Sequence, residues 1–282
     1  MAGSRKVPKS SPVFVKEAPL SIYFEFAKKA FKQRLAYRAS AYLGMVGRFL
    51  LLFVEVNVWT ALFGHRATVD GVALSDMVTY VIMSMAVGSL TRSSMDYRIA
   101  EKVADGSIVT DFVKPVRFKF YVIAEDIGEN CFLTLFTTIP VCLFGVWYWG
   151  FRIPDASSAL VLFAVALLGG CAVIYQLNYV LGLLSFWFQT SYHVDWLFGA
   201  FRTLFSGAIV PLWFYPSFLR AVSEGLPWQL VAFGPISIFL EKASRVQAFR
   251  VILLQGIWLA VLFGIEQVLW HRAQRKIEIY GG

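Results

Sequence analysis

Glu55 sits in the middle of a long apolar run, about 41–64, with Asn57 two positions on and Arg48 two turns earlier. A charge at mid-bilayer costs about 2.5–3.5 kcal/mol on insertion scales, so a charge in such a run is a functional candidate by default. A carboxylate there can line a pathway and favour a cationic substrate. It can equally be held in a structural ion pair inside a helix bundle, and Arg202, in a later apolar run, is the partner for that pair. Both readings stay open. Arg48 is placed to snorkel to the nearer interface. Glu266 and Gln267, near the end of the last run, read as structural polar contacts. Trp213, with Phe214 and Tyr215, reads as an interfacial anchor with a substrate contact as the sharper alternative. Ser191, His193 and Asp195 are close in sequence, but a triad is a matter of geometry that proximity alone does not supply.

Other chemistries find little support. The three cysteines lie in apolar runs without CxxC spacing and read as small buried hydrophobes. The three histidines are far apart, so no metal site is expected. No HExxH and no GxxxxGK[ST] occurs. Without the latter, the chain has no loop of that type to cradle ATP phosphates, and no cofactor is expected on it.

The residues that must position these groups are mostly apolar. Of 282 residues, 58% are hydrophobic and 16% charged. Soluble domains run near 45–50% and 25%. Mean hydropathy is +0.62. This composition excludes a disordered chain, argues against a soluble enzyme, and implies an all-α integral membrane protein.

A hydrocarbon core about 30 Å thick needs about 20 apolar helical residues. Six spans are expected: 41–64, 72–90, 130–151, one within the charge-free stretch 156–194, 196–214 and 250–270. A turn is expected near Ser191–Asp195. Residues 1–20 read as a flexible tail. Residues 21–39 pair an apolar face (Ile22, Phe26, Phe31, Leu35) with Lys28, Lys29, Lys32 and Arg34, which predicts an amphipathic helix in the interface. Residues 207–245 are apolar but broken by Pro211, Pro216, Pro227 and Pro235, which predicts re-entrant or interfacial helices, with two further true spans, eight in all, as the alternative. A short tail, 273–282, closes the chain.

Lys and Arg set the orientation. Residues 1–38 hold nine, the loop 91–121 holds six and the end of the chain three, eighteen in all. The opposite side holds six. Both termini are expected in the cytoplasm, and the basic excess of +8 needs no nucleic-acid partner. Glu125, Asp126 and Glu129 are expected at the start of the third span, where acids favour a helix dipole; contact with a partner subunit is the sharper reading.

The loop 91–121 carries the most informative pattern. Ser93–Asp96 can open a helix through Tyr97, Ile99, Ala100 and Val103, and Gly106 can end it. Val109, Phe112 and Val113 form a second short stripe before Pro115. The apolar residues of two such helices, left in water, would form a docking surface.

The run Glu101-Lys102-Val103-Ala104-Asp105-Gly106-Ser107-Ile108, followed by Lys114-Pro115-Val116, resembles the loop after the second span of ABC-2 type permeases. Ser206–Pro216 resembles the stretch leading into that family's re-entrant region. The resemblance covers nearly the whole chain and is nearest the subgroup without a fused ATPase. It implies an exporter subunit of the bacterial inner membrane, moving an amphipathic or hydrophobic compound. The implied partners are a pair of ATP-binding subunits, carrying ATP and Mg, and a second permease, identical or homologous. It also implies that the loop contains the coupling helix, with Tyr97, Ile99, Glu101, Val103, Asp105, Gly106, Ile108 and Phe112 as coupling residues. Glu55, Asn57, Arg202 and Trp213 are the pathway candidates. A stand-alone secondary transporter using Glu55 as an ion relay is the competing expectation.

Overall fold

A computed structural model describes residues 18–36, 38–188 and 191–280; for residues 38, 112, 191–196 and 274–280 it describes the backbone alone. The fold is helical apart from one small hairpin. In chain order the helices are α1 (Leu20–Ala36), α2 (Arg38–Phe63), α3 (Leu74–Leu90), α4 (Met95–Ala104), α5 (Ile108–Phe112), α6 (Phe118–Leu133), α7 (Ile139–Trp149), α8 (Ser157–Leu184), α9 (Ser191–Phe205), α10 (Ser217–Gly225), α11 (Phe233–Phe239) and α12 (Arg245–Tyr280). Among the described residues, five stretches are long and apolar enough to cross a membrane: Ala39–Phe63, Leu74–Ala104, Phe118–Trp149, Ser157–Leu184 and Arg245–Ala273.

Several boundaries differ from the sequence expectation. The third long helix starts at Phe118, well before Asn130, so Glu125, Asp126 and Glu129 lie in its third and fourth turns. The dipole explanation therefore fails for them. The turn after α8 falls at 185–187, ahead of Ser191. The helix expected at 196–214 is α9, 15 residues long. At 1.5 Å per residue it rises about 22 Å, short of the hydrocarbon thickness. It stops because Gly207 takes φ 72 and Pro211 follows. At the end of the chain the helix runs on to Tyr280 where a tail was expected.

The strands β1 (Thr68–Val69) and β2 (Val72–Ala73) pair antiparallel. Asp70 and Gly71 both take positive φ, 49 and 76, as a two-residue type I′ turn requires. An Asp-Gly between apolar residues is the sequence signal for it.

Between α6 and α7 the helix widens into a π-helical turn, Thr134–Thr138. Pro140 has no N–H to donate, so the regular ladder cannot pass through it. The shifted turn presents hydroxyls to α3: Ser89 Oγ lies 2.7 Å from Thr134 Oγ1 and accepts from Thr138 at 2.9 Å.

The two largest apolar cores sit at opposite ends. One joins α2, α3, α7 and α11 through Leu52, Val56, Tyr80, Val81, Val141 and Ile236. The other joins α4, α5, α6 and α8 through Met95, Ile99, Ile108, Val122, Tyr179 and Leu183. Helix α1 lies along α6, and Gly128 makes that approach possible. A Cβ there would stand 2.0 Å from the Ala27 carbonyl oxygen.

The broken segment after α9 dips toward the middle of the bundle. Its bend, with a 3-10 turn at Trp228–Leu230, rests against Gly170, where a Cβ would meet the Leu230 carbonyl at 3.1 Å. Gly170 is thirteen residues into α8, about 20 Å along it. From α12, Gln255 Nε2 donates to the Leu230 carbonyl at 2.9 Å and to the Ala166 carbonyl at 2.7 Å.

Candidate functional site

The α4–α5 hairpin follows from its local sequence. The Ser93 hydroxyl accepts from the Met95 amide at 3.3 Å at the start of α4. Gly106, at φ 74, provides the left-handed residue that ends the helix. Asp105 Oδ1 accepts from the Ser107 amide at 2.8 Å. Hydrogen bonds from Ser107 hold the Asp105 carboxyl below the usual carboxylate range.

One face of the hairpin is turned into the protein. Ile99 and Ile108 are buried against Tyr179 and Leu183, and Val103 packs beside them. Gly182 opens the space, since a Cβ there would meet Ile99 Cδ1 at 2.7 Å. These three side chains therefore hold the hairpin and do not form a water-facing patch. Buried Asp111 accepts from Lys102 at 2.5 Å and Lys114 at 2.6 Å. Lys114 also lies 4.0 Å from the centre of the Tyr121 ring. Partial burial pulls the Lys114 pKa down, but the bonds to Asp111 and Tyr121 outweigh it and raise the value overall.

The acidic trio of α6 receives the hairpin's arginine. Arg98 is 2.5 Å from Glu129, 3.6 Å from Asp126 and 3.7 Å from Glu125. Asp126, 1% exposed, also accepts from the Ser94 amide and hydroxyl at 3.2 and 3.0 Å. Arg34 of α1 pairs with the same Glu129. Helices α1, α4 and α6 thus meet at one charged joint. The sequence held its components, but the placement of the third span hid the connection.

The other face of the hairpin looks outward. Tyr97 and Glu101, one helical turn apart, are exposed, as are Asp105 and Gly106. Val109 is 50% exposed and Val113 is 81% exposed. The result is an apolar surface edged by two carboxylates. The side chain of Phe112 lies outside the described residues, as do those of His193 and Asp195.

The pathway candidates do not form one constellation. Glu55 is half-buried in α2, and no hydrogen bond or ion pair to it occurs among the described residues, Arg202 included. Asn57 is exposed and donates to the Phe53 carbonyl of its own helix at 2.7 Å. Arg202 is exposed on α9, in a shallow depression shared with Thr203 and Tyr215. Trp213 packs on Tyr80, with ring centres 5.5 Å apart, and on Phe233 at 5.2 Å. The Tyr80 hydroxyl donates to the Gly207 carbonyl at 2.5 Å.

Two further polar clusters were not anticipated as clusters. Lys119 lies 2.6 Å from Glu266 and donates to Gln176 at 2.7 Å, while Gln176 donates to Glu266 at 2.6 Å. This ties α6, α8 and α12 together; the lone polar positions Gln176 and Glu266 in apolar runs were its only signal. At the opposite end, buried Asp76 pairs with Arg152 at 2.6 Å and Lys242 at 2.8 Å. The bond to Asp76 raises the Arg152 pKa.

The family model described as ABC-2 family transporter protein matches residues 49–281. No curated protein matches the sequence. The match takes in most of the chain, including the hairpin, the acidic trio of α6 that receives its Arg98, and every long apolar helix after the start of α2. The chain therefore belongs to the ABC-2 family of transporter proteins, as a multi-pass membrane permease of an ABC transporter.

Proposed function

We propose that this chain is one transmembrane half of an ATP-driven exporter in the bacterial inner membrane, with both termini cytoplasmic. Two ATP-binding subunits dock beneath it, and a second permease, identical or homologous, completes the pathway. ATP and Mg belong to the partner subunits. The α4–α5 hairpin is the coupling element, and the cargo is amphipathic or hydrophobic.

One observation carries this reading. The hairpin has an inner face fixed to α6 and α8 and an outer face of exposed apolar and acidic groups. An element packed on one side and exposed on the other is suited to carry a push into the bundle; a solvated connector would lack the packed side. The segment 207–245, bending between α8 and α12, closes the opposite end as a re-entrant region. With α9 taken as a short sixth crossing, the Lys/Arg asymmetry supports a cytoplasmic hairpin.

Purification in mild detergent tests the proposal. The wild-type chain brings down a subunit carrying a P-loop, and Val109→Asp loses it while still inserting in the membrane. A chain that purifies without such a subunit, and is unaffected by Val109→Asp, contradicts it.

Glu55, without an ion pair or hydrogen bond among the described residues, favours one second reading, a stand-alone transporter with that carboxylate as ion relay. Ion-driven uptake or efflux by the purified chain without ATP would select it.

A further inference from the structure

A cleft of about 190 Å³ opens between α10, α11 and the first three turns of α12, at the end opposite the α4–α5 hairpin. It is smaller than the roughly 300–1,000 Å³ of sites that enclose a whole drug-sized ligand. A headgroup fits this volume; a complete amphiphile does not.

The lining changes character along the cleft. From α12 it receives Gln247, Arg250, Val251 and Leu254, the i, i+3, i+4, i+7 face of one helix, polar first and apolar deeper. Arg220 of α10 and Lys242, just before α12, add two more cations, and Trp213 extends the apolar wall. Such a gradient matches a molecule with a charged head and an apolar tail.

The charges decide the sign and number. Arg220 is held by Glu224 at 3.0 Å in an exposed i,i+4 pair, a weak arrangement that gives way easily. Lys242 shares Asp76 with Arg152, and Glu241 lies 3.7 Å from Arg152, so these two cations are balanced by two carboxylates. Arg250 is exposed, and no ion pair or hydrogen bond to it occurs among the described residues. The uncompensated charge is therefore close to one, and it sits on Arg250. A phosphodiester carries one negative charge, whereas a phosphomonoester approaches two. Exposed Phe249 and Leu253 on the adjoining face of α12 provide an apolar surface along which acyl chains can lie.

We infer that this cleft binds the phosphodiester headgroup of an anionic amphiphile in the leaflet opposite the hairpin, with Arg250 as its principal contact and Arg220 and Lys242 beside it. The site does not depend on which subunits dock at the other end.

Native mass spectrometry of the full-length chain, titrated in detergent with phosphatidylglycerol or phosphatidylcholine, tests the inference. The expected result is preferential retention of phosphatidylglycerol. Arg250→Gln weakens that binding about tenfold, as loss of a charge-assisted hydrogen bond implies. Arg245→Gln, exposed nearby but outside the cleft, leaves it unchanged. Equal retention of the two lipids by the wild-type chain overturns the inference without recourse to any variant. So does unchanged affinity in both Arg250→Gln and Arg220→Gln. Full displacement of the lipid by millimolar inorganic phosphate identifies a free-anion site and overturns the lipid assignment.

Discussion

Arg98 gathers Glu125, Asp126 and Glu129 around one guanidinium, and Asp126 is almost fully shielded from water. Removing one partner of such a cluster leaves charge stranded, which is more costly than never having placed it there. Arg98→Gln is expected to destabilise the chain by about 3 kcal/mol, read by denaturant unfolding in detergent. Faster tryptic cleavage within 95–117 should accompany the loss, because the same arginine holds the hairpin. A change of stability within about 0.5 kcal/mol, the ordinary range for a surface substitution, would show that the joint is incidental. Glu55 contrasts with this cluster. Its position in an apolar run was legible from sequence. That Arg202 does not meet it was not, since pairing across helices depends on rotations and depths that spacing alone does not specify.

At the scale of elements, glycines and a glutamine set how closely helices approach. Gly128 lets α1 lie on α6, and no side chain fits there without moving the Ala27 backbone. Gly128→Val is expected to lift α1 off α6, at a cost of about 1–3 kcal/mol for overpacking. Limited trypsin digestion should then cut at Lys28, Lys29 and Lys32 much faster than in the wild-type chain. Gln255 plays the matching part at the bend near Leu230. Gln255→Leu orphans the Leu230 carbonyl but also removes a buried Oε1 that has no partner. The two effects oppose each other, so a net loss of about 1 kcal/mol is expected, well below that of Arg98→Gln. Helix periodicity revealed α1, α4 and α5 closely, because each has a polar side against which an apolar face stands out. The long spans were found but their ends were not. In α6 the helix begins ahead of its acidic residues, where Phe118, Tyr121 and Val122 belong to the core beneath the hairpin.

Across the whole molecule, charge is concentrated at the two ends and fastens loops to spans. Arg98 and its carboxylates, with Lys102, Asp111 and Lys114, secure one end. Asp76, Arg152, Glu241 and Lys242 secure the other. The apolar bundle between them can then move as a unit when one end is pushed. That arrangement is consistent with a permease of an ABC transporter, and the proposed point of engagement is the exposed face of α4 and α5. The class of the protein was legible from composition and from the Glu101–Ile108 run. The charged joint was not, because its parts lie 31 residues apart in sequence between Arg98 and Glu129. The most direct test is site-specific cross-linking from Val109→Cys in native membranes. A cross-linked subunit bearing a P-loop, lost when the cysteine is moved to the inward-facing Ile99, is the expected result. Cross-links confined to lipid, or equal labelling from both positions, would contradict the assignment of this hairpin as the coupling surface.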